Sequence, residues 1–221
     1  VAHRDWALPR WFDHIEEACD RAGVDPEFVF VCDQNDPSWA CVEMLAPNAT
    51  LIPCLTTRSG DVRRWNQQRY VQMASLRNEL LASVQSSAPD AFLSLDSDIL
   101  VHPDLVKLLL DDLDRFDAVG GRCYMTSTGL RFPSYGMLGR SGGLRRVDAS
   151  GVFPVDVIMA IKLMGPAAYQ VHYTADAQGE DIGWSKACTG HGLKLGWDGR
   201  VISKHVLGPH LLDQHDHRVG F

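Results

Sequence analysis

The chain has 221 residues, 45% hydrophobic and 22% charged, which is enough for one sizeable core and ordinary for a soluble globular protein. Its formal net charge of −7 argues against nonspecific binding to nucleic acid or to an anionic membrane, because both need clustered positive charge. No apolar run reaches about 18 residues, so no membrane-spanning helix is predicted.

The opening VAHRDWALPRWF reads as the tail of a strand entering a helix, and residues upstream of Val1 are expected to be missing. No secretory-leader pattern stands there. From Trp6 to Ala22 the apolar positions recur with helical period, Pro9 fits a first turn, and Gly23 is a stop signal. Glu27–Asp33 (EFVFVCD) reads as a short strand ending in an acid, and QNDPS after it as a turn. Residues 40–57 are ambiguous apart from a short strand over Thr50–Pro53. A long helix is predicted over Asp61–Ser86, with Trp65, Tyr70, Met73, Leu76 and Leu80 among its apolar positions. Arg58, Arg63, Arg64 and Arg69 are the one candidate basic stripe.

A strand follows at Ala91–Leu95, a helix at His102–Leu113 entered through Pro103 and Asp104, and a strand at Asp117–Tyr124. Residues 126–150, rich in Gly, Ser and Arg, read as a loop with a hairpin, in which Gly142 and Gly143 could allow motion. Val152–Met164 is strand-like, Glu180–Gly190 helical, and Leu193–Ile202 a late strand. The tail LLDQHDHRVGF is polar. Alternating strand and helix over the first 125 residues predicts an α/β fold, a single Rossmann-like domain with a mostly parallel central sheet flanked by helices. The six cysteines form no CxxC pair, and their apolar surroundings predict buried reduced thiols and a cytoplasmic location.

The chemistry concentrates in FLSLDSDIL. Asp96 and Asp98 close an apolar strand, and side chains two apart on a strand share a face while Ser97 points away. Two carboxylates so close repel each other and need a cation; a hard divalent ion such as Mg²⁺ or Mn²⁺ suits them and would also hold phosphate oxygens.

LSLDSDIL resembles the DXD motif of GT-A-fold nucleotide-sugar glycosyltransferases, and further stretches are similar to family-2-like members in the right order over about residues 1–210. VAHRDWALPRWF resembles the end of their first strand and first helix, cut short here; His3 and Arg4 would then meet the nucleotide base or diphosphate. Asp33 matches the acid that contacts the base. LRNELL, with Arg77 and Asn78, resembles the segment that precedes the DXD strand. Arg77 would pair with a phosphate or with Asp96, and Asn78 would order the acid pair. GEDIGWS resembles the segment that supplies the base in inverting members, which favours Asp181 over Glu180. SKHVLG resembles the stretch whose histidine, here His205, completes the metal site.

The resemblance implies a nucleotide-sugar half over about 1–125, an acceptor and catalytic half over about 126–210, and a tail at 211–221. It implies a metal on Asp98, Asp96 and His205, a UDP- or GDP-sugar donor bound also by Ser97, and a hydroxyl acceptor against which Trp184 and Tyr124 are weak stacking candidates. His210, His215 and His217 are a weaker metal cluster. Two other readings stay open. A haloacid-dehalogenase-type phosphatase would use Asp96 as nucleophile and Asp98 as acid–base, although the usual Gly–Thr after the second acid is missing. A transferase-like domain could also bind a nucleotide sugar without turnover.

Overall fold

The structure is a computed structural model that describes residues 3–54, 66–125, 135–138, 144–145 and 149–215. Helix α1 (Leu8–Ala22) carries Pro9 in its first turn and ends at Gly23, whose φ of 70° is the left-handed value that glycine adopts without steric cost. Strand β1 (Val29–Cys32) pairs parallel with β2 (Thr50–Pro53). Between them the expected QNDPS turn stands at Gln34–Asp36 and runs directly into helix α2 (Pro37–Leu45). Asp36 accepts from Ser38 N at its first turn and Pro37 stands at a position that has no use for an N–H. The cap signal was present in the sequence; the missing apolar period hid the helix behind it.

Helix α3 (Gln67–Ser87) starts at Asn66, whose side chain accepts from Arg69 N. Strands β3 (Phe92–Leu95) and β4 (Ile99–Leu100), helix α4 (Leu105–Asp112) and strand β5 (Ala118–Met125) follow. The chain then runs through short strands: β6 (Tyr135–Leu138), β7 (Leu144–Arg145), β8 (Val152–Pro154), β9 (Val157–Ile158) and β10 (Ile161–Met164). A short α5 (Pro166–Tyr169), helix α6 (Glu180–Gly190), the long β11 (Leu195–His205) and a final turn of helix, α7 (Leu212–His215), complete it.

The main sheet runs β3-β10-β5-β11-β4, with β8 also on β11. The α/β class with a central sheet flanked by helices is as expected, but the sheet is mixed rather than mostly parallel. Only β5 and β11 pair parallel within it, and the other pairings described are antiparallel. Helix and strand alternate only as far as β5. From β5 to β10 the described residues pass from strand to strand without a helix, and β10 returns between β3 and β5 against their common direction before α5 and α6 lead to β11.

Both faces of the sheet are covered. On one, Leu8, Trp11, Phe12 and Ile15 of α1 and Leu105 and Leu109 of α4 pack on Val119, Ile161 and Leu163. On the other, Leu81 and Val84 of α3 and Trp184 and Cys188 of α6 pack on Ala118, Met164, Leu195 and Trp197. Neighbouring residues of β5 and β10 go to opposite layers, as strand alternation requires. Among the described residues no helix is long and apolar enough to cross a membrane.

One glycine fixes helix α6. A Cβ on Gly183 would lie 2.0 Å from the Thr174 carbonyl oxygen, and backbone cannot yield there as a side-chain tip would. Gly183→Ala is therefore expected to cost about 3 kcal/mol, the upper part of the range for overpacking, in a urea titration. A loss under about 1 kcal/mol would show that the 174 segment and α6 are not held at this spacing.

Candidate functional site

Strand β3 ends at Leu95, and Ser97 and Asp98 form a tight turn in which Ile99 N donates to the Asp96 carbonyl at 3.1 Å. The two acids converge through this turn and not, as expected, through alternation along a continuous strand. Trp11 of α1 donates its indole N–H to the same Asp96 carbonyl at 3.1 Å, so the turn is tied to the core. Strand β4 then pairs antiparallel with the end of β11, with Ile99 opposite His205, and Val206 N donates to the Asp98 carbonyl at 2.8 Å. That register brings His205 from the far end of the sequence to the acid pair. The ligating atoms of Asp96, Asp98 and His205 lie within 4.8 Å of one another. A divalent ion spans about 4.2 Å between opposite ligands, so a small inward movement would close the set.

The acids already have cationic partners. Asp98, 4% exposed, accepts from Arg4 Nε at 2.6 Å through Oδ2, and its Oδ1 lies 3.0 Å from His205 Nε2. Burial alone would raise the Asp98 carboxyl, but His205 and Arg4 outweigh it and hold it below its ordinary value. Burial alone would lower His205; Asp98, with help from Asp96, raises it instead. Asp96 accepts from Arg77 Nη2 at 3.2 Å.

Arg4 is delivered by a fixed loop. Asp36, besides capping α2, takes the His3 backbone N–H on both oxygens at 2.9 and 3.0 Å, which holds His3 at a φ of 51°. Ser38 Oγ takes the Arg4 N–H at 2.9 Å. The His3 imidazole turns to Asp36, with Nδ1 3.1 Å from Oδ2.

Arg77 links the acid pair to a second group of charges. Its Nη1 donates to Ser94 Oγ at 3.3 Å, its Nε lies 3.5 Å from Glu180 Oε1 and 3.8 Å from Asp181 Oδ1, and its guanidinium carbon stands 5.5 Å from the centre of the Tyr173 ring. Lys162 of β10 completes this group. It is fully buried, donates to Asp181 Oδ1 at 2.6 Å and to the Met159 carbonyl at 2.8 Å, and faces the Tyr173 and Trp184 rings. For Asp181, burial is outweighed by Lys162 and Arg77, and the carboxylate is held low. For Glu180, burial and then the charge of Asp181 push the carboxyl up. Lys162 was missed in the sequence reading. The available signal was one lysine inside the strand-like run VIMAIKLM, where a buried charge demands a partner.

The other candidates divide. Asp33 closes β1 and accepts from the backbone and side chain of Asn35; with Gln34, Asn35, Pro53 and Cys54 it lines a hollow of about 90 Å³ at the ends of β1 and β2. Ser97 is half-buried in the turn between the acids. Asn78 does not order the acid pair. Its amide exchanges hydrogen bonds with the Tyr173 backbone at 2.7 and 3.0 Å, because it lies on the side of α3 facing that segment. Trp184 is 0% exposed, stacked on Tyr173 and bonded to the Val171 carbonyl, and Tyr124 is 5% exposed under Arg122, so neither ring presents a face to an acceptor. Both were needed to fill the core. His210 is exposed and stands outside the Asp96, Asp98, His205 group. Arg58, Arg63, Arg64, Gly142, Gly143, His217 and the side chain of His215 lie outside the described residues. A separate cavity of about 490 Å³, lined by His172, Thr174, Ala187 and His191 among others, contains none of these groups.

No family model matches the chain, and no curated protein matches it in sequence. Among solved structures it is similar to A197 from STIV, with a TM-score of 0.53 and 15% identity over 84% of this chain and 87% of that one, a likeness of fold. It is also matched to an apo UDP-glucose pyrophosphorylase, with a TM-score of 0.46 and 8% identity over 86% of this chain and 78% of that one.

Proposed function

We propose that this chain is a metal-dependent glycosyltransferase that moves a sugar from a UDP- or GDP-sugar to a hydroxyl acceptor. The observation that carries the reading is the convergence of Asp96, Asp98 and His205, joined through Arg77 to Glu180 and Asp181. Two carboxylate oxygens and an imidazole nitrogen suit Mn²⁺ or Mg²⁺, with the nitrogen favouring Mn²⁺. Such an ion would neutralise the diphosphate and make it a better leaving group. Asp33 and its hollow would receive the base, Arg4 and Arg77 the negative charge of the diphosphate, and residues up to about 125 the donor as a whole. The part from about 126 to 210 would present the acceptor.

A carboxylate beside the acceptor would take the hydroxyl proton as the sugar is transferred with inversion. Asp181 is clamped and neutralised by Lys162 and Arg77, so it serves as a fixed anion; Glu180, whose carboxyl is pushed up, keeps the basicity for that proton. The phosphatase alternative is less favoured because the usual Gly–Thr after the second acid is missing.

The test is calorimetric titration of UDP and GDP with and without Mn²⁺, on the wild type and on Asp96→Asn. Binding of one nucleotide that requires Mn²⁺ and is lost in the variant is expected. No binding of either nucleotide to the folded protein with Mn²⁺ present would overturn the donor-site assignment. Binding without donor turnover would leave a nucleotide-sugar-binding domain.

A further inference from the structure

We infer that Arg4 is a diphosphate-binding residue held in reserve on Asp98: it gives up the carboxylate to the divalent ion and turns to the diphosphate, which makes ion and diphosphate bind cooperatively. This rests on the transferase reading of the site.

Asp98 carries one charge and its side chain is 6% exposed, so its oxygens have little water to fall back on. One oxygen is committed to Arg4 at 2.6 Å and the other to His205 at 3.0 Å. Ligation of an ion by Asp98 and His205 must draw on that same carboxylate and on the His205 nitrogen now turned toward it. The Arg4 guanidinium would then face a like charge across a poorly hydrated gap, with its own counter-charge shared. An oxygen-rich dianion that touches both cations removes the conflict. Arg4 is built for this: its backbone is anchored on Ser38, Nη1 rests on the His3 carbonyl at 3.2 Å, and the guanidinium lies 5.8 Å from the centre of the Trp6 ring. Its side chain is 14% exposed, and Nη2 makes no hydrogen bond among the described residues, leaving a donor for a phosphate oxygen. Because coupling is reciprocal, the diphosphate must tighten the ion as much as the ion tightens the diphosphate.

The test uses the full chain as wild type, Arg4→Gln, Arg4→Lys and Asp98→Asn, with folding followed by circular dichroism. Mn²⁺ is titrated alone, then inorganic pyrophosphate at saturating Mn²⁺. Arg4→Gln should bind Mn²⁺ alone about tenfold tighter than wild type and then bind pyrophosphate at least about tenfold weaker, within the usual range of coupling. Arg4→Lys keeps the charge without the fork, so it should match wild type for Mn²⁺ and weaken pyrophosphate; it carries the test if Arg4→Gln does not fold. Unchanged or weaker Mn²⁺ binding in Arg4→Gln, or undiminished pyrophosphate binding, overturns the role of Arg4 while leaving the metal site standing. Mn²⁺ binding that ignores Asp98→Asn, or no Mn²⁺ binding at all, overturns the metal site and the inference with it.

Discussion

Lys162→Met is expected to cost about 3–5 kcal/mol of stability, the usual penalty for removing one partner of a buried ion pair. For a chain of this length that lowers the melting temperature by about 6–20 °C. The ammonium is fully buried, and among the described residues its hydrogen bonds go to Asp181 Oδ1 and the Met159 carbonyl. Removing it leaves Asp181 with Arg77, whose Nε is 3.8 Å away and is shared with Glu180. The loss comes from the stranded carboxylate and not from the missing bond, so a second change at Asp181 should recover much of it. Lys162→Met with Asp181→Leu is expected to be more stable than Lys162→Met alone. The pH dependence follows from the two charges. Asp181 is held below its unfolded value, so its share of the stability is present above about pH 3.9 and is lost as pH falls through the lower folded value. Lys162 is held above its unfolded value, against burial, by Asp181; its share is present below about pH 10.4 and is lost as pH rises through the higher folded value. The penalty should therefore be flat from about pH 5 to 9. Urea titrations of the three proteins across that range measure it, and a single variant within about 1 kcal/mol of wild type would mean that Asp181 does not depend on Lys162.

That pair also marks the boundary of what the sequence disclosed. The acid pair, His205 and Arg77 were picked out in the sequence, the pair by an apolar strand ending in acids and the other two chiefly by the resemblance of their short stretches, because a histidine after a strand or an arginine on a helix is a weak signal by itself. Their convergence was not local. It depends on β4 pairing with the end of β11 in one register, and strand pairing over such a separation leaves no trace in either segment. The same holds for β10, whose return between β3 and β5 made the sheet mixed, and with it for Lys162, whose partner is on a helix in a different part of the chain. Trp184 and Tyr124 failed as acceptor candidates for a related reason. An aromatic ring looks the same in sequence whether it fills a core or lines a cleft, and burial decides between them. Asp36 shows the reverse case: a cap residue readable from its neighbours alone also takes the His3 N–H, and so helps hold the loop from which Arg4 reaches Asp98.

Glu180→Gln is expected to lower donor turnover by about 10²–10⁴-fold, the range for loss of a general base, with stability nearly unchanged. Asp181→Asn should do the opposite first: it leaves Lys162 without its carboxylate and should destabilise the protein about as much as Lys162→Met. The two acids are adjacent at the start of α6, yet their surroundings push them apart. Burial and the neighbouring Asp181 charge raise Glu180, while Lys162 and Arg77 hold Asp181 low despite its burial. A base works only when ionised, so the wild-type rate should fall on the acid side through a value above the ordinary glutamate value of about 4.3. The groups facing Glu180 are Arg77 from α3, Lys162 from β10 and Asp181 on its own helix. In Asp181→Asn the charge that raises Glu180 is gone while Arg77 remains, so the acid arm should move to lower pH. Hydrolysis of whichever sugar donor the nucleotide titration identifies, followed across pH for the three proteins, provides the profile. A folded Asp181→Asn protein as inactive as Glu180→Gln, with the wild-type acid arm in the ordinary aspartate range, would return the base to Asp181. A shifted arm in a weakened but active Asp181→Asn protein would place the proton on Glu180 and leave Asp181 as the anion that Lys162 holds in place.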